Sequence, residues 1–374
     1  MKKVLSLVMC LFVFCSVLVG CAEQEIGSYL ENYPEVTDDV KELTLNMYII
    51  TNDETTANAK ETVQNIINQY TLSTFKTNLK LHYCSEAEYK SKVTAAISAT
   101  DETAAHIVLI NSADMMDTLI KEDQVVDLTP YINSRDYGRI NSELPEALLS
   151  GAKVDSKLYA IPNNHIIGGD SGYNYIVIDK AVARDILHYS PATLNSYDSL
   201  EDCADLIADM EKAGYDASSL VYSVNGPYEM KKALEDAGNI CNIATYPTVT
   251  KDEAFMSAFA IVKRTNAYND RAMQIIYALN NPNDHYLRNL LLYGVSGTNY
   301  IKDESGNIVR VTEGDNVYSM NPIYTGNLFH AEYCEELNWT KEVHDNALKQ
   351  NDQSVVAAMV ENNGDGAGDA ETAN

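Results

Sequence analysis

Three features of this sequence predict an α/β protein of two lobes. Strand-like and helix-like segments alternate from Leu43 onward. An extended stretch, Leu158-Tyr159-Ala160-Ile161-Pro162, interrupts the alternation, and a new round begins at Tyr173. Alternation of strand and helix is the pattern of doubly wound sheets. Pro162 fixes its own φ and drives Ile161 toward extended geometry, so this stretch reads as a crossing between two halves. The expected fold is therefore two doubly wound α/β lobes joined by extended hinge crossings.

The N-terminus stands apart from that fold. Lys2 and Lys3 precede an apolar run from Val4 to Val19, interrupted only by Ser6 and Ser16. The run is shorter than the ~20 residues of a membrane span and suits the core of a signal peptide over residues 1–20. Leu18-Val19-Gly20-Cys21 resembles the bacterial lipobox, whose cysteine is acylated after cleavage; the alternative is a chance cysteine behind an ordinary signal peptide. With Cys21 as the lipid-attachment residue, the chain is exported. It is then held at the outer face of the cell membrane by acyl chains such as palmitate, each buried CH₂ contributing about 0.8 kcal/mol. Residues 22–42 carry seven acids, one lysine and Pro34, the composition of a solvated tether. Residues 351–374 read as an acidic disordered tail.

Charge and cysteine usage exclude some classes of partner. The formal charge is −27, and it becomes −29 once Lys2 and Lys3 leave with the signal segment. Nucleic acid requires clustered Lys and Arg, so it is excluded as a partner. Of the seven cysteines, Cys84, Cys203, Cys241 and Cys334 remain for the folded part. They are far apart and form no C-x-x-C, so buried free thiols are expected.

In the first lobe, Leu43, Leu45, Met47 and Ile49 alternate as a strand ending at Thr51-Asn52-Asp53. Ala59, Val63, Ile66, Ile67 and Tyr70 share one helical face, and Leu79, Leu81 and Tyr83 alternate again. Ser85 and Glu88 have capping-box spacing ahead of a helix. His106 to Ile110 is a nearly continuous apolar run, as in a parallel strand covered on both faces. Ligands of doubly wound sheets bind beyond the carboxyl ends of the strands, which nominates Asn52, Asn111 and Ser112. Each is also an ordinary loop or cap residue type.

Signatures of catalysis or cofactor binding do not accompany this pattern. The turn Thr51 to Thr56 lacks glycine, so the dinucleotide fingerprint fails, and no phosphate-binding P-loop occurs. No histidine pair has i, i+4 spacing, and Gly294-Val295-Ser296-Gly297-Thr298 misses the nucleophile elbow at its last residue. No cofactor or metal is expected. A secreted hydrolase using a carboxylate pair remains an alternative.

In the second lobe, Tyr173 to Ile178 reads as a strand, and Cys203, Leu206, Ile207 and Met210 as one helix face closed by Gly214. Pro227 opens a further helix through Ala237. The order of elements then resembles the extracellular solute-binding proteins of bacterial ABC importers. The lipobox, the Leu-Tyr-Ala-Ile-Pro crossing and Tyr173 to Lys180 carry the likeness. So do the return crossing at Thr245-Tyr246-Pro247, a strand over Phe255 to Ile261 and a helix from Asn269. Asn289 to Gly297 and a hairpin from Tyr300 to Val309, turning at Ser305-Gly306-Asn307, continue it.

This resemblance implies a type 2 periplasmic-binding-protein-like fold. Its first lobe would span 43–160 and return over 249–298; the second lobe, 161–248, is shorter than the family commonly shows. A C-terminal hairpin and helical segment would occupy 299–350. The implied function is non-catalytic capture of a small solute, a sugar or oligosaccharide with oligopeptide as runner-up, by a monomer that delivers it to importer permease subunits. A surface lipoprotein that has lost solute binding is the other alternative. Asn163, Asn164 and His165 at the crossing, Asn52, Asn111 and Ser112 at strand ends, and Tyr173, Tyr175 and Tyr246 are expected to line one cleft. None is charged unless His165 protonates, so a neutral ligand rich in hydroxyls fits.

Overall fold

The alternating apolar residues after Glu42 form β1 (Leu43–Ile50). The computed structural model describes residues 40–186, 188, 203–216 and 221–357. The signal segment and Cys21 lie outside the described residues. After β1 come α1 (Ala57–Phe75), β2 (Thr77–Cys84), α2 (Glu86–Ser98), β3 (Ile107–Ile110) and α3 (Ala113–Lys121). The crossing forms β4 (Ala160–Pro162), and lobe two supplies β5 (Tyr173–Asp179), α4 (Ala204–Lys212), β6 (Val221–Gly226), α5 (Met230–Asp236) and β7 (Asn239–Thr245). The chain returns through β8 (Thr248–Val249), α6 (Lys251–Phe255), β9 (Ala258–Ile261), α7 (Asn266–Leu279) and α8 (Tyr286–Tyr293). A hairpin of β10 (Tyr300–Lys302) and β11 (Ile308–Arg310), then α9 (Lys341–Asp352) and β12 (Val355–Val356), complete the described chain.

Lobe one is built on a five-stranded sheet in the order β2-β1-β3-β9-β4. β1 runs parallel to β2 and β3, whereas β9 enters antiparallel between β3 and β4, with Ala258 opposite both Ile110 and Pro162. Every residue of β3 and β9 is buried, as central strands covered by helices on both faces require. The outer edge of β2 is partly blocked by Gln64 of α1, which accepts from Leu81 N–H at 2.7 Å and donates to Leu79 C=O. That side chain occupies groups that would otherwise pair with another strand.

The α/β architecture is as expected, but lobe two's strands pair differently. Its sheet, β6-β5-β7, is wholly antiparallel among the described residues, so the doubly wound pattern belongs to lobe one. Alternation along β5 still feeds two small cores. Ile176 and Ile178 meet Leu206 and Met210 of α4, while Tyr173, Tyr175 and Val177 face Met230 and Leu234 of α5.

Several boundaries move for local reasons. Thr250 accepts from Glu253 N–H at 3.1 Å, so Phe255 ends a short helix, and the strand expected from Phe255 starts at Ala258. Pro227 opens a turn closed by Met230 N–H, and the helix begins only at Met230. Ser85 touches the Glu88 carboxylate at 3.2 Å without capping a backbone N–H, so the reciprocal capping box is absent. α7 starts at Asn266 rather than Asn269, whose amide instead accepts from Arg264 N–H. Asn351 to Val356 belong to α9 and β12, which corrects the tail expected from residue 351. Ser199, which the sequence offers as the N-cap of the helix that Gly214 closes, lies outside the described residues. Cys84, Cys241 and Cys334 are free and buried, and Cys203 is buried as well.

Buried polar groups tie the loops at the base of lobe one. Asn46 donates from Nδ2 to Glu102 C=O and Ala104 C=O, both at 2.9 Å, and its N–H donates to His106 Nδ1 at 3.0 Å. Burial, with Arg264 nearby, lowers the His106 pKa from 6.5 to about 4. The folded state thus prefers neutral His106, and between about pH 6.5 and about 4 the unfolded chain binds more protons. Stability should be fully expressed above this window and fall as the pH drops through it. Urea titrations from pH 7.5 to 4.5 should show that loss, and His106→Asn, which keeps an acceptor for Asn46 N–H, should flatten it; parallel slopes in the two proteins would assign the loss to other groups.

Candidate functional site

The crossing that leaves β4 is buried, and its backbone must find partners. Two consecutive amides in the last turn of α9 supply many of them. Gln350 Nε2 donates to Ile167 C=O and Gly169 C=O, each at 2.8 Å, and its Oε1 accepts from Tyr228 N–H of lobe two at 3.1 Å. Asn351 Nδ2 donates to His165 C=O at 2.7 Å and Asn164 Oδ1 at 3.0 Å, while its Oδ1 accepts from Ile167 N–H at 2.9 Å. β12 then pairs in parallel with β8 on the return crossing. A Cβ at Gly172 would stand 2.8 Å from Gln350 Nε2, so glycine there admits the amide.

Between α9, the crossing and lobe two lies a pocket of about 230 Å³. Ile166, Gly169 and Asp170 come from the crossing, Pro227 and Glu229 from lobe two, and Ile323, Leu328, Trp339, Val343 and Asn346 from the C-terminal part. Trp339 belongs to an aromatic cluster with Phe329 at 5.5 Å and His344 at 5.6 Å. The walls thus combine apolar side chains with the exposed carboxylates of Asp170 and Glu229. Apolar walls carrying a few polar groups suit recognition of a small organic ligand.

One wall depends on a buried cation. Arg288 is 0% exposed and donates from Nε to Asn327 C=O at 3.0 Å and from Nη2 to Pro322 C=O at 3.2 Å. It has no carboxylate partner among the described residues, and burial lowers its pKa to about 10. Those two bonds span the segment that contributes Pro322, Ile323 and Leu328 to the pocket.

The nine residues expected to line a cleft separate into two groups, and none of them is on the wall of this pocket. Asn163, Asn164 and His165 are 0, 4 and 2% exposed. Asn163 donates to Ser257 Oγ at 2.8 Å and Ile323 C=O at 3.1 Å. His165 bridges Asn163 C=O and the Glu253 carboxylate, 3.2 Å away. Burial opposes ionisation of Glu253, yet its bonds from His165 and Gly168 N–H outweigh this and lower its pKa. Tyr173 and Tyr175 are also buried; Tyr175 donates to Pro227 C=O at 2.8 Å and Tyr173 to Gln353 Oε1 at 2.9 Å.

Asn52, Asn111, Ser112 and Tyr246 are more open. Asn52 donates to Ser319 Oγ at 2.8 Å, and Asn111 reaches the Glu86 carboxylate at 3.4 Å. Ser112 caps α3 through Met115 N–H, and Tyr246, 43% exposed, meets the Tyr173 ring edge-on at 6.1 Å. Sequence reasoning did not select Asp170, Glu229, Trp339, Asn346 or Gln350. A chain with a single tryptophan was the one available signal.

No protein-family model matches the sequence, and no curated protein matches it. Solved structures do match. The N-glycan transport solute binding protein (NgtS) from Streptococcus pneumoniae superposes with a TM-score of 0.53 at 16% identity, covering 84% of this chain and 83% of that one. The same protein in complex with Man1GlcNAc gives 0.52 at 17% identity, covering 84% of each chain. Its complex with Man5GlcNAc gives 0.51 at 16%, covering 83% of each chain.

Asn351→Ala should destabilise the protein by ~1–3 kcal/mol in urea denaturation, because Ile167 N–H and His165 C=O stay buried without a partner. An unchanged midpoint would show that the crossing does not rely on this amide. The chain has the α/β fold of the pneumococcal solute binding protein.

Proposed function

We propose that this chain is a non-catalytic, exported solute-binding protein that captures carbohydrate between its lobes and presents it to an ABC importer. The observation that carries the reading is a pocket whose walls come from the crossing, lobe two and the C-terminal segment together. A ligand touching all three favours their approach, and only its differential affinity for that arrangement shifts the equilibrium. Glu229 and Asp170 offer acceptors to sugar hydroxyls, and Trp339, Val343 and Leu328 offer apolar surface to ring C–H groups. The volume is below the ~300–1,000 Å³ of ordinary small-molecule pockets, so one sugar unit of a longer glycan would enter it. The glycan complexes of the pneumococcal protein support an oligosaccharide as the probe of first choice. Asn52, Asn111, Ser112 and Tyr246 lie open for the remaining units, while Asn163, Asn164, His165, Tyr173 and Tyr175 hold the site's backbone.

Trp339 makes the reading testable, since it is the sole tryptophan. Titration with mannose- and N-acetylglucosamine-containing oligosaccharides should change its fluorescence saturably and raise the melting temperature. Glu229→Gln should weaken that binding by ~1–2 kcal/mol with melting of the free protein unchanged. A panel that leaves both fluorescence and melting unmoved would overturn the carbohydrate reading.

Anchorage is proposed through acylated Cys21, with the importer's permease subunits as partners. No helix among the described residues is long and apolar enough to cross a membrane. Cys21→Ala should move the protein from the membrane fraction to the medium or leave it unprocessed. Fractionation identical to the parent would rule out the lipid anchor.

A further inference from the structure

A separate cavity of about 820 Å³ opens at the other end of the lobe-one sheet, where β1 and β3 begin. The strands are parallel, so this end is opposite Asn52 and Asn111. One wall is His106, 8% exposed, its ring stacked on Tyr268 at 4.8 Å. His106 Nδ1 accepts from Asn46 N–H, and a neutral imidazole that accepts at Nδ1 carries its proton on Nε2. Nε2 has no hydrogen-bond partner among the described residues, so this buried ring keeps one unused donor in the cavity wall.

Three further features have the same polarity. Lys80 lines the cavity and has no ion-pair partner among the described residues. Thr265, also on the wall, is the N-cap of α7; its carbonyl takes Tyr268 N–H and Asn269 N–H, but its side chain caps none, so Asn266 N–H and Ala267 N–H at the start of this 14-residue helix have no partner among the described residues. Arg264 donates to Ala105 C=O at 3.1 Å and Ile97 C=O at 3.1 Å, which fixes its charge in place at the rim. Lys263 is paired with Asp123, which leaves Lys80 and Arg264 as the cations of the wall. Asp101, held as a carboxylate by the bonds from Thr103, and Glu102 are the acids of the wall, and they limit the ligand to a compact anion seated against the donors. Such a grouping of donors is a local exception in a chain of net charge −27.

We infer that this cavity binds a small anion, a carboxylate or a phosphate, through His106 Nε2–H, Lys80 and the N-terminus of α7. The site is independent of the inter-lobe pocket and survives the failure of the carbohydrate reading.

The test uses the full chain with ¹⁵N-labelled histidine at low salt. Inorganic phosphate is titrated in one arm and acetate in the other, with chloride at matched ionic strength as the reference. The His106 Nε2–H signal should move saturably with at least one anion and stay fixed with chloride. Saturation by phosphate alone assigns phosphate, and by acetate alone assigns carboxylate; saturation by both assigns shared recognition. His106→Asn, which retains an acceptor for Asn46 N–H but lacks the Nε2 donor, should weaken binding about tenfold in calorimetry, as a lost charge-assisted hydrogen bond does. Lys80→Met, a change at an exposed strand position, should do the same and needs no repacking of the core. Signals that follow chloride equally, or variants that bind both anions like the parent, would overturn the site.

Discussion

An extended chain passing through the interior between two lobes creates unpaired N–H and C=O groups, and everything around the hinge answers that need. The answer here is the amide pair Gln350 and Asn351, with seven hydrogen-bonding atoms of the crossing and lobe two within their reach or that of Gln353. Because both amides come from one helical turn, the crossing, the Tyr228 end of lobe two and α9 form a single connected unit. The pocket exists where this unit leaves space against the Pro322–Leu328 segment. Its shape is therefore set by backbone satisfaction as much as by side-chain packing.

The two lobes contribute unequally to that space. Among the described residues, lobe one has a five-stranded sheet and the principal core, whereas lobe two has three strands and a small core on each face. A thin lobe can still present a wall if its first strand is fixed, and Tyr173 and Tyr175 do this from inside. Their hydroxyls leave the lobe-two core to bond Gln353 and Pro227. On the opposite side, Arg288 does comparable work with a charge that has no carboxylate partner among the described residues. The cost of burying that guanidinium is offset only by carbonyl bonds, which makes the Pro322–Asn327 segment dependent on it.

Much of the fold was legible because burial imposes period. Alternation in Leu43 to Ile49 and the unbroken apolar run at Ile107 to Ile110 mark strands, and the structure has both, although β1 is buried on both faces from Leu45 to Ile50 despite its alternating sequence. The antiparallel pairing of lobe two was not legible, since Tyr173 to Ile178 alternates whichever way its neighbours run. Helix starts moved where one cap decided them, as Thr250 does for α6. The site was harder still. Asn163, Asn164 and His165 follow β4 directly and are buried, but a sequence does not say whether an asparagine faces solvent or a carbonyl. The Asn163 amide faces Ser257 and Ile323, and those partners are 94 and 160 positions away. Gln350 and Trp339 become site residues only once the C-terminal helix folds back on the hinge.

The placement of β9 has a consequence in time. Residues 258–261 fill the gap between β3 and β4, which precede them by more than ninety positions. Until they emerge during synthesis, β3 and β4 each keep an open edge, and the sheet of lobe one consists of a three-strand parallel piece without its closing member. Long-range closure of this kind is slow, because loop entropy is lost before the contacts that compensate it form. A chain arranged so cannot complete its larger lobe early in translation. It stays threadable until most of its length exists, which would suit the export proposed above.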